Sequence, residues 1–458
     1  MAIATINPAT GETLQEFEAH SAEEIDRRIG LAAAAVEALR RTTFAERAGW
    51  MRVAADLLDA DAEELARTMT TEMGKTLAAS KAEVAKCAKG MRFYADNAEA
   101  FLADEPLDDP AKVNASRAYV AYQPLGVVLA VMPWNFPLWQ VIRFAAPALM
   151  AGNTGLLKHA SNVPQTALYL DTLFTRAGFP EGAFATLLIG SREVERVLTD
   201  QRVAAATLTG SEGAGAAVAA IAGRELKKTV LELGGSDPYV VMPSADLAKA
   251  AKVAVTARVQ NNGQSCIAAK RFIVHTDCYD EFAALFVDAM SALRMGDPMA
   301  DDTQLGPIAT EGGREDVEEL VADAVAHGAK VLCGGERPDQ PGWWYPATVV
   351  SEITQDARMY YEEVFGPVAS LFRVPSIDEA IAVANATSFG LGSNAWTEDA
   401  DEKERFEREL AAGAVFVNGM VTSYPELPFG GIKRSGYGRE LAKVGIREFC
   451  NAKTVWVA

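Results

Sequence analysis

The sequence predicts an α/β protein organised around a doubly wound parallel sheet, with a second α/β unit behind it. From Gly126 onward, short apolar runs alternate with stretches of helical periodicity. That texture belongs to strands buried on both faces and joined by crossover helices. A second alternating series begins after Gly235. The chain has 458 residues, 49% of them hydrophobic, enough for two or three domains with separate cores.

The elements follow in order. Between Ala22 and about Leu102 the text is helical: Ile25, Ile29, Ala32, Ala33 and Val36 recur at helical spacing, as do Met51, Ala54, Ala55 and Leu58. Asp104 to Asn114 carries prolines and acids and reads as a connector. Ser116 to Gln123 alternates like an exposed or edge strand. The first series then runs through strands at Gly126–Val131, Thr154–Leu157, Thr186–Ile189, Ala205–Thr209 and Thr229–Leu233. Helices are expected after Pro137, over Pro164–Ala177, near Arg192–Leu198 and over Gly213–Ala222. The second series has strands at Tyr239–Val241, Arg271–His275, Lys330–Cys333 and Ala414–Val417, with helices at Ala245–Val259 and Tyr279–Met290. Lys453–Val457 predicts a terminal strand. It and Ser116–Gln123 are candidate sheet edges for pairing with another subunit.

Charge and composition narrow the function. A net charge of -19 argues against nucleic acid, whose phosphates select basic surfaces. The apolar runs are too short to cross a bilayer, and the N-terminus does not read as a secretion signal. Five scattered cysteines suit free thiols in a reducing cytoplasm. The four histidines have no metal-ligand spacing, and neither HExxH nor GxSxG occurs, so neither a metal centre nor a serine hydrolase is expected.

The candidate chemistry lies in separate segments. Asn261-Asn262-Gly263-Gln264-Ser265-Cys266 brings a thiol out of a polar, glycine-containing approach. A lone cysteine is more often a small buried hydrophobe. If the following Ile267-Ala268-Ala269 opens a helix, its N-terminus would favour thiolate. Glu232 interrupts the apolar run Val230-Leu231-Glu232-Leu233, at a strand end where a half-buried carboxylate becomes a base. Pro133-Trp134-Asn135-Phe136-Pro137 holds one amide between two prolines, as an oxyanion donor requires; an aromatic-packed loop is the plainer reading. Gly210-Ser211-Glu212-Gly213 gives a turn and helix start suited to phosphate. Lys158-His159-Ala160-Ser161 follows another strand. Lys158 can meet ribose hydroxyls or phosphate, and Ser161, where an acid would repel a 2′-phosphate, leans towards NADP, with NAD at lower preference.

These motifs, with Glu362-Glu363-Val364-Phe365-Gly366-Pro367 and Pro428-Phe429-Gly430-Gly431, resemble in their order the aldehyde dehydrogenase superfamily. The likeness runs from Asn7-Pro8-Ala9-Thr10-Gly11-Glu12 to the C-terminal strand. It implies an NADP-binding domain (1–105 and 125–234), a catalytic domain (235–434) and a small β oligomerisation domain (106–124 and 443–458), assembled as a homodimer or homotetramer. It implies Cys266 as nucleophile, Glu232 as general base, and Asn135 with the Cys266 backbone N–H as oxyanion hole. Trp134, Asn135, Lys158, His159, Ala160, Ser161, Gly210, Ser211, Leu233, Glu363 and Phe365 are the implied cofactor residues, with Glu363 on the nicotinamide ribose.

Within the superfamily the sequence is most similar to NADP-preferring succinate-semialdehyde dehydrogenases. That likeness implies Arg143, Trp139 and Ser423 as substrate residues, with Arg143 on the substrate carboxylate; a merely ion-paired arginine is the plainer alternative. Two positions depart from relatives. Gln260 stands where some carry a second arginine, which leaves broad oxidation of small aldehydes as the alternative function. Ala268 stands where some carry a second cysteine.

Overall fold

The structure, a computed structural model, describes residues 2–458. A short antiparallel ribbon, β1 (Ile3–Ile6) with β2 (Thr13–Phe17), precedes the helices α1 (Ala22–Leu39), α2 (Phe44–Ala60), α3 (Ala62–Met73) and α4 (Leu77–Phe101). Ser21 caps α1 by accepting from the Glu24 N–H, and Thr43 with Glu46 forms a reciprocal capping box on α2. The expected apolar stripe of α1 is buried through Ile25, Ile29, Ala32 and Val36. Gly74 ends α3 in the left-handed conformation, with φ of 80°.

The first α/β unit is β3 (Glu105–Pro106), β4 (Arg117–Pro124), β5 (Val127–Met132), α5 (Trp139–Ala151), β6 (Thr154–His159), α6 (Pro164–Arg176), β7 (Phe184–Thr186), α7 (Val194–Thr199), β8 (Val203–Thr209), α8 (Glu212–Arg224) and β9 (Lys228–Glu232). The second continues as β10 (Asp237–Val241), α9 (Leu247–Val259), β11 (Ala269–His275), α10 (Thr276–Ser291), α11 (Glu311–Ala326), β12 (Lys330–Cys333), β13 (Thr348–Ser351), β14 (Val368–Val374), α12 (Ile377–Asn385), β15 (Asn394–Trp396), α13 (Ala400–Glu409) and β16 (Phe416–Val417). The chain ends with β17 (Gly436–Tyr437), α14 (Ala442–Glu448) and β18 (Cys450–Val457).

The first sheet has the order β17-β9-β8-β5-β6-β7, parallel except for β17. Strand order reverses beside β5, so its carboxyl edge opens a crevice there. The second sheet has the order β12-β13-β14-β11-β10-β15-β16, parallel except for β12. Only Leu233–Ser236 separate the C-terminal end of β9 from the N-terminal end of β10. The carboxyl edge of one sheet therefore faces the amino edge of the other, and the candidate residues collect at that junction. Every residue of α5 is buried, as suits a helix apolar all round. Gly90 on α4 makes room for it: a Cβ there would lie 3.0 Å from the Trp139 ring.

The structure corrects several expectations. Arg117–Pro124 is the middle strand of the small sheet β18-β4-β3, not an edge; the edges are β18 and the two-residue β3. The strand expected at Thr186–Ile189 ends at Thr186, since Leu187–Ile189 lead into a short helical turn. Residues 436–437 return to the first sheet beside β9, and α14 packs against α4 and α5, so 443–448 lie with the first unit instead of the small sheet. No helix follows Cys266: Ile267 and Ala268 complete a turn that runs straight into β11. Among the described residues, no helix is long and apolar enough to cross a membrane.

Candidate active site

Cys266 is held by a loop tied down along its length. Asn261 and Asn262 both adopt left-handed backbone (φ 55° and 57°), which asparagine tolerates better than most side chains. Their amides explain the sequence Asn-Asn. Asn261 Nδ2 donates to the Asn135 carbonyl at 2.7 Å and to the Gln264 carbonyl at 3.0 Å. Asn262 Nδ2 donates to the Gly74 and Pro307 carbonyls at 2.9 and 3.0 Å, and its Oδ1 accepts from the Gly306 N–H at 2.9 Å. Arg258, fully buried, donates to the Gly263 carbonyl at 2.6 Å. Lys270 donates to the carbonyls of Ser265 and Cys266 at 2.7 and 2.8 Å and pairs with Glu363 at 2.9 Å. Burial pushes the Cys266 thiol up to about 12, against the pull of the Arg143 and Lys270 charges. Those cations replace the helix N-terminus expected from sequence.

Asn135 meets this loop directly. Its Nδ2 donates to the Gln264 carbonyl at 3.1 Å, which leaves the second amide hydrogen for another acceptor. Glu232, the last residue of β9, is fully buried where sequence suggested half, and neither carboxylate oxygen has a hydrogen-bond partner among the described residues. Burial first, then the charge of Glu440, pushes its carboxyl well above the usual range, against Arg143 and Arg439. A carboxyl raised in this way binds a proton more readily than a solvated one, as suits a general base.

Arg143, expected on the substrate carboxylate, lies in a buried cluster of its own chain. It is 2% exposed, paired with Glu440, stacked 4.6 Å from the Phe429 ring centroid, and within 3.4 Å of the Thr209 hydroxyl. The pair with Glu440 is made through Nε alone. The other two expected substrate residues do meet: Trp139 Nε1 donates to Ser423 Oγ at 3.0 Å, across 284 residues of sequence. The same hydroxyl accepts from Lys86 on α4 at 2.8 Å.

The cofactor candidates occupy the carboxyl ends of β5, β6, β8 and β9, except Glu363 and Phe365, which lie just before β14 of the second sheet. Trp134 and Phe365 meet edge to face, with centroids 5.8 Å apart. Ser211 caps α8, and Gly210 donates to the Glu232 carbonyl at 3.0 Å. Gly215 admits Leu233, whose Cδ2 would lie 2.6 Å from a Cβ there. Lys158 is buried, its pKa lowered by that burial, and no carboxylate lies within 4 Å of it among the described residues. An enclosed cation without an internal partner, followed by Ser161, suits a phosphorylated ribose. His159 differs from expectation. Its Nδ1 accepts from the Ala160 N–H at 2.9 Å and its Nε2 lies 2.8 Å from the Pro137 carbonyl, while burial lowers its pKa to about 4. Both ring nitrogens are committed to the backbone, so the ring is a strut under the loop that carries Asn135.

Lys86, Lys270 and Glu440 were missed by sequence reasoning. Lys86 and Lys270 are ordinary helix and strand lysines by pattern. Glu440 alone carried a signal, as an acid beside glycines in Gly438-Arg439-Glu440.

Comparison with known proteins agrees with this geometry. A family model described as the aldehyde dehydrogenase family matches residues 1–455. A curated NADP-dependent succinate-semialdehyde dehydrogenase from Mycobacterium bovis is 66% identical, with 100% of both chains covered. A succinic semialdehyde dehydrogenase from Streptococcus pyogenes, solved with NADP, superposes with a TM-score of 0.96 at 38% identity, covering 99% of each chain. A succinate-semialdehyde dehydrogenase from Burkholderia pseudomallei superposes with a TM-score of 0.96 at 35% identity, covering 100% of this chain and 95% of that one. With the motifs in order from end to end and both sheets meeting at the thiol, this chain belongs to the aldehyde dehydrogenase family.

Proposed function

We propose that this protein oxidises succinate semialdehyde to succinate with NADP as oxidant, through a thioester on Cys266. The observation that carries the chemistry is the meeting of Cys266, Asn135 and the buried, unpartnered Glu232 where the two sheets join. The full-length likeness to the M. bovis enzyme supports the choice of substrate and cofactor.

Cys266 gives up its proton to solvent and adds as thiolate to the aldehyde carbon, giving a thiohemiacetal oxyanion that accepts hydrogen bonds from the free Asn135 amide hydrogen and the Cys266 backbone N–H. NADP, when bound, supplies the hydride acceptor that turns this adduct into a thioester. Lys158 and Ser161 would hold its ribose phosphate, Gly210 and Ser211 its diphosphate, and Trp134, Leu233, Glu363 and Phe365 its nicotinamide half. Glu232 then takes a proton from water, the hydroxide attacks the thioester, and the acid leaves as Cys266 is restored. Cys266→Ala should abolish NADPH formation. Glu232→Gln should keep a first burst of NADPH, about one per active site, while steady turnover falls 10²- to 10⁴-fold. Turnover surviving in the cysteine variant would overturn the assignment.

The engagement of Arg143 by Glu440 favours a second reading, broad oxidation of small aldehydes. Equal kcat/KM for succinate semialdehyde and butanal would establish it. Five free thiols support a reducing cytoplasmic location, and the exposed edge of β18 supports a homo-oligomer.

A further inference from the structure

Every carbonyl of the catalytic loop from Gly263 to Cys266 is held by a side chain. Arg258 takes the Gly263 carbonyl, Asn135 and Asn261 take that of Gln264, and Lys270 takes those of Ser265 and Cys266. The Cys266 N–H, by contrast, has no acceptor among the described residues. We propose that Lys270 is the positioning residue of the oxyanion hole: by gripping the Ser265 carbonyl it fixes the peptide plane that aims the Cys266 N–H at the developing oxyanion. The inference rests on the proposed thioester chemistry at Cys266.

The geometry follows from the peptide unit. The Ser265 carbonyl and the Cys266 N–H belong to one planar trans peptide, so they point in opposite directions. Holding the oxygen therefore holds the hydrogen. Lys270 Nζ donates to that oxygen at 2.7 Å, and the Ala268 N–H donates to it at 3.1 Å. Two donors on one carbonyl also polarise the amide, which makes its N–H a stronger donor. The second bond of Lys270, to the Cys266 carbonyl at 2.8 Å, fixes the next peptide plane. One ammonium thus sets the backbone on both sides of the nucleophile.

Lys270 is built for this task. It is 1% exposed and is the second residue of β11, which runs between β10 and β14, so its backbone is held from both sides. An ammonium so dry needs a counter-charge. Glu363 supplies it at 2.9 Å, from the loop before β14. The charge of Lys270 does not by itself explain its place. Arg143 pulls harder on the thiol and makes no hydrogen bond to the loop.

The test sets two reactions of Cys266 against each other in wild type, Lys270→Met and Lys270→Gln. Iodoacetamide alkylates the thiolate by displacing iodide and forms no oxyanion. With para-nitrophenyl acetate the thiolate adds to the ester carbonyl, and the tetrahedral oxyanion collapses with loss of nitrophenolate, leaving an acetyl thioester. Neither reaction needs NADP, so an effect through Glu363 on the cofactor does not enter. A loss of thiolate, or a general loosening of the pocket, lowers both rates alike and cancels in their ratio. Lys270→Met should lower the ratio of acylation to alkylation about 10- to 100-fold, with the adducts located on Cys266 by mass. Lys270→Gln, shorter and uncharged, should lower it about 3- to 30-fold, and carries the test if Lys270→Met does not fold. A ratio within about twofold of wild type in either variant would overturn the inference. Wild type that the ester does not acetylate at Cys266 would instead overturn the proposed thioester chemistry.

Discussion

Cys266 stands where burial favours the neutral thiol and two cations oppose it. With its pKa near 12, the thiolate fraction in the cofactor-free protein is small at pH 7 and grows tenfold per pH unit. The rate of inactivation by iodoacetamide should therefore climb steadily from pH 7 to pH 10, about tenfold per unit, because thiolate is the reacting form. A plateau below pH 9 would show that Arg143 and Lys270 outweigh burial. Arg143 thus bears on the nucleophile by its charge. Legibility at this scale followed locality. Cys266, Glu232 and Asn135 sit in sequence surroundings that are odd for their residue types, so each was visible alone. Lys86 and Arg143 are defined by partners hundreds of residues away, Ser423 and Glu440, and nothing beside them in the sequence shows whether a cation is spent or free.

At the scale of elements, the loop carrying Trp134 and Asn135 depends on α4. Glu83 accepts from the backbone N–H groups of Leu138 and Trp139 at 2.9 and 2.8 Å, satisfying donors at the start of α5. It also pairs with Lys75, which is fully buried and lies 4.5 Å from the Phe136 ring centroid. Removing one partner of a buried pair leaves the other charge uncompensated, which costs about 3–5 kcal/mol. Glu83→Ala should lower the urea-unfolding free energy by about that amount and weaken activity by loosening Asn135. Combining Lys75→Met with Glu83→Gln should recover part of the stability, since no ammonium is then stranded. A loss under about 1 kcal/mol for Glu83→Ala would contradict the pairing as a stabilising brace. The helix itself was readable from apolar spacing. Its role as the floor of the site was not, because periodicity reports which face is buried and is silent on what that face touches.

At the scale of the molecule, alternation of strand-like and helical runs disclosed both sheets, since buried parallel strands are nearly all apolar. The return of residues 436–437 to the first sheet escaped notice, because a two-residue strand has no periodicity to read. The central place of β4 escaped for a related reason: alternation marks a sheet with one wet face and does not tell middle from edge. That small sheet leaves β18 with an open edge, and Trp456 and Val457 there are 51% and 39% exposed. Such an edge invites pairing with a second copy. Each copy carries a net charge of -19, so assembly must work against repulsion. Screening reaches about 8 Å at 0.15 M salt and about 30 Å at 0.01 M, so dilution of salt strengthens that repulsion across an interface. Light scattering should give a multiple of the subunit mass at 0.15 M salt, with a shift towards the subunit at 0.01 M. Trp456→Glu, which adds charge and removes apolar surface at the open edge, should give the subunit mass at both salt concentrations. An oligomer that persists in that variant at low salt would place the interface elsewhere than β18.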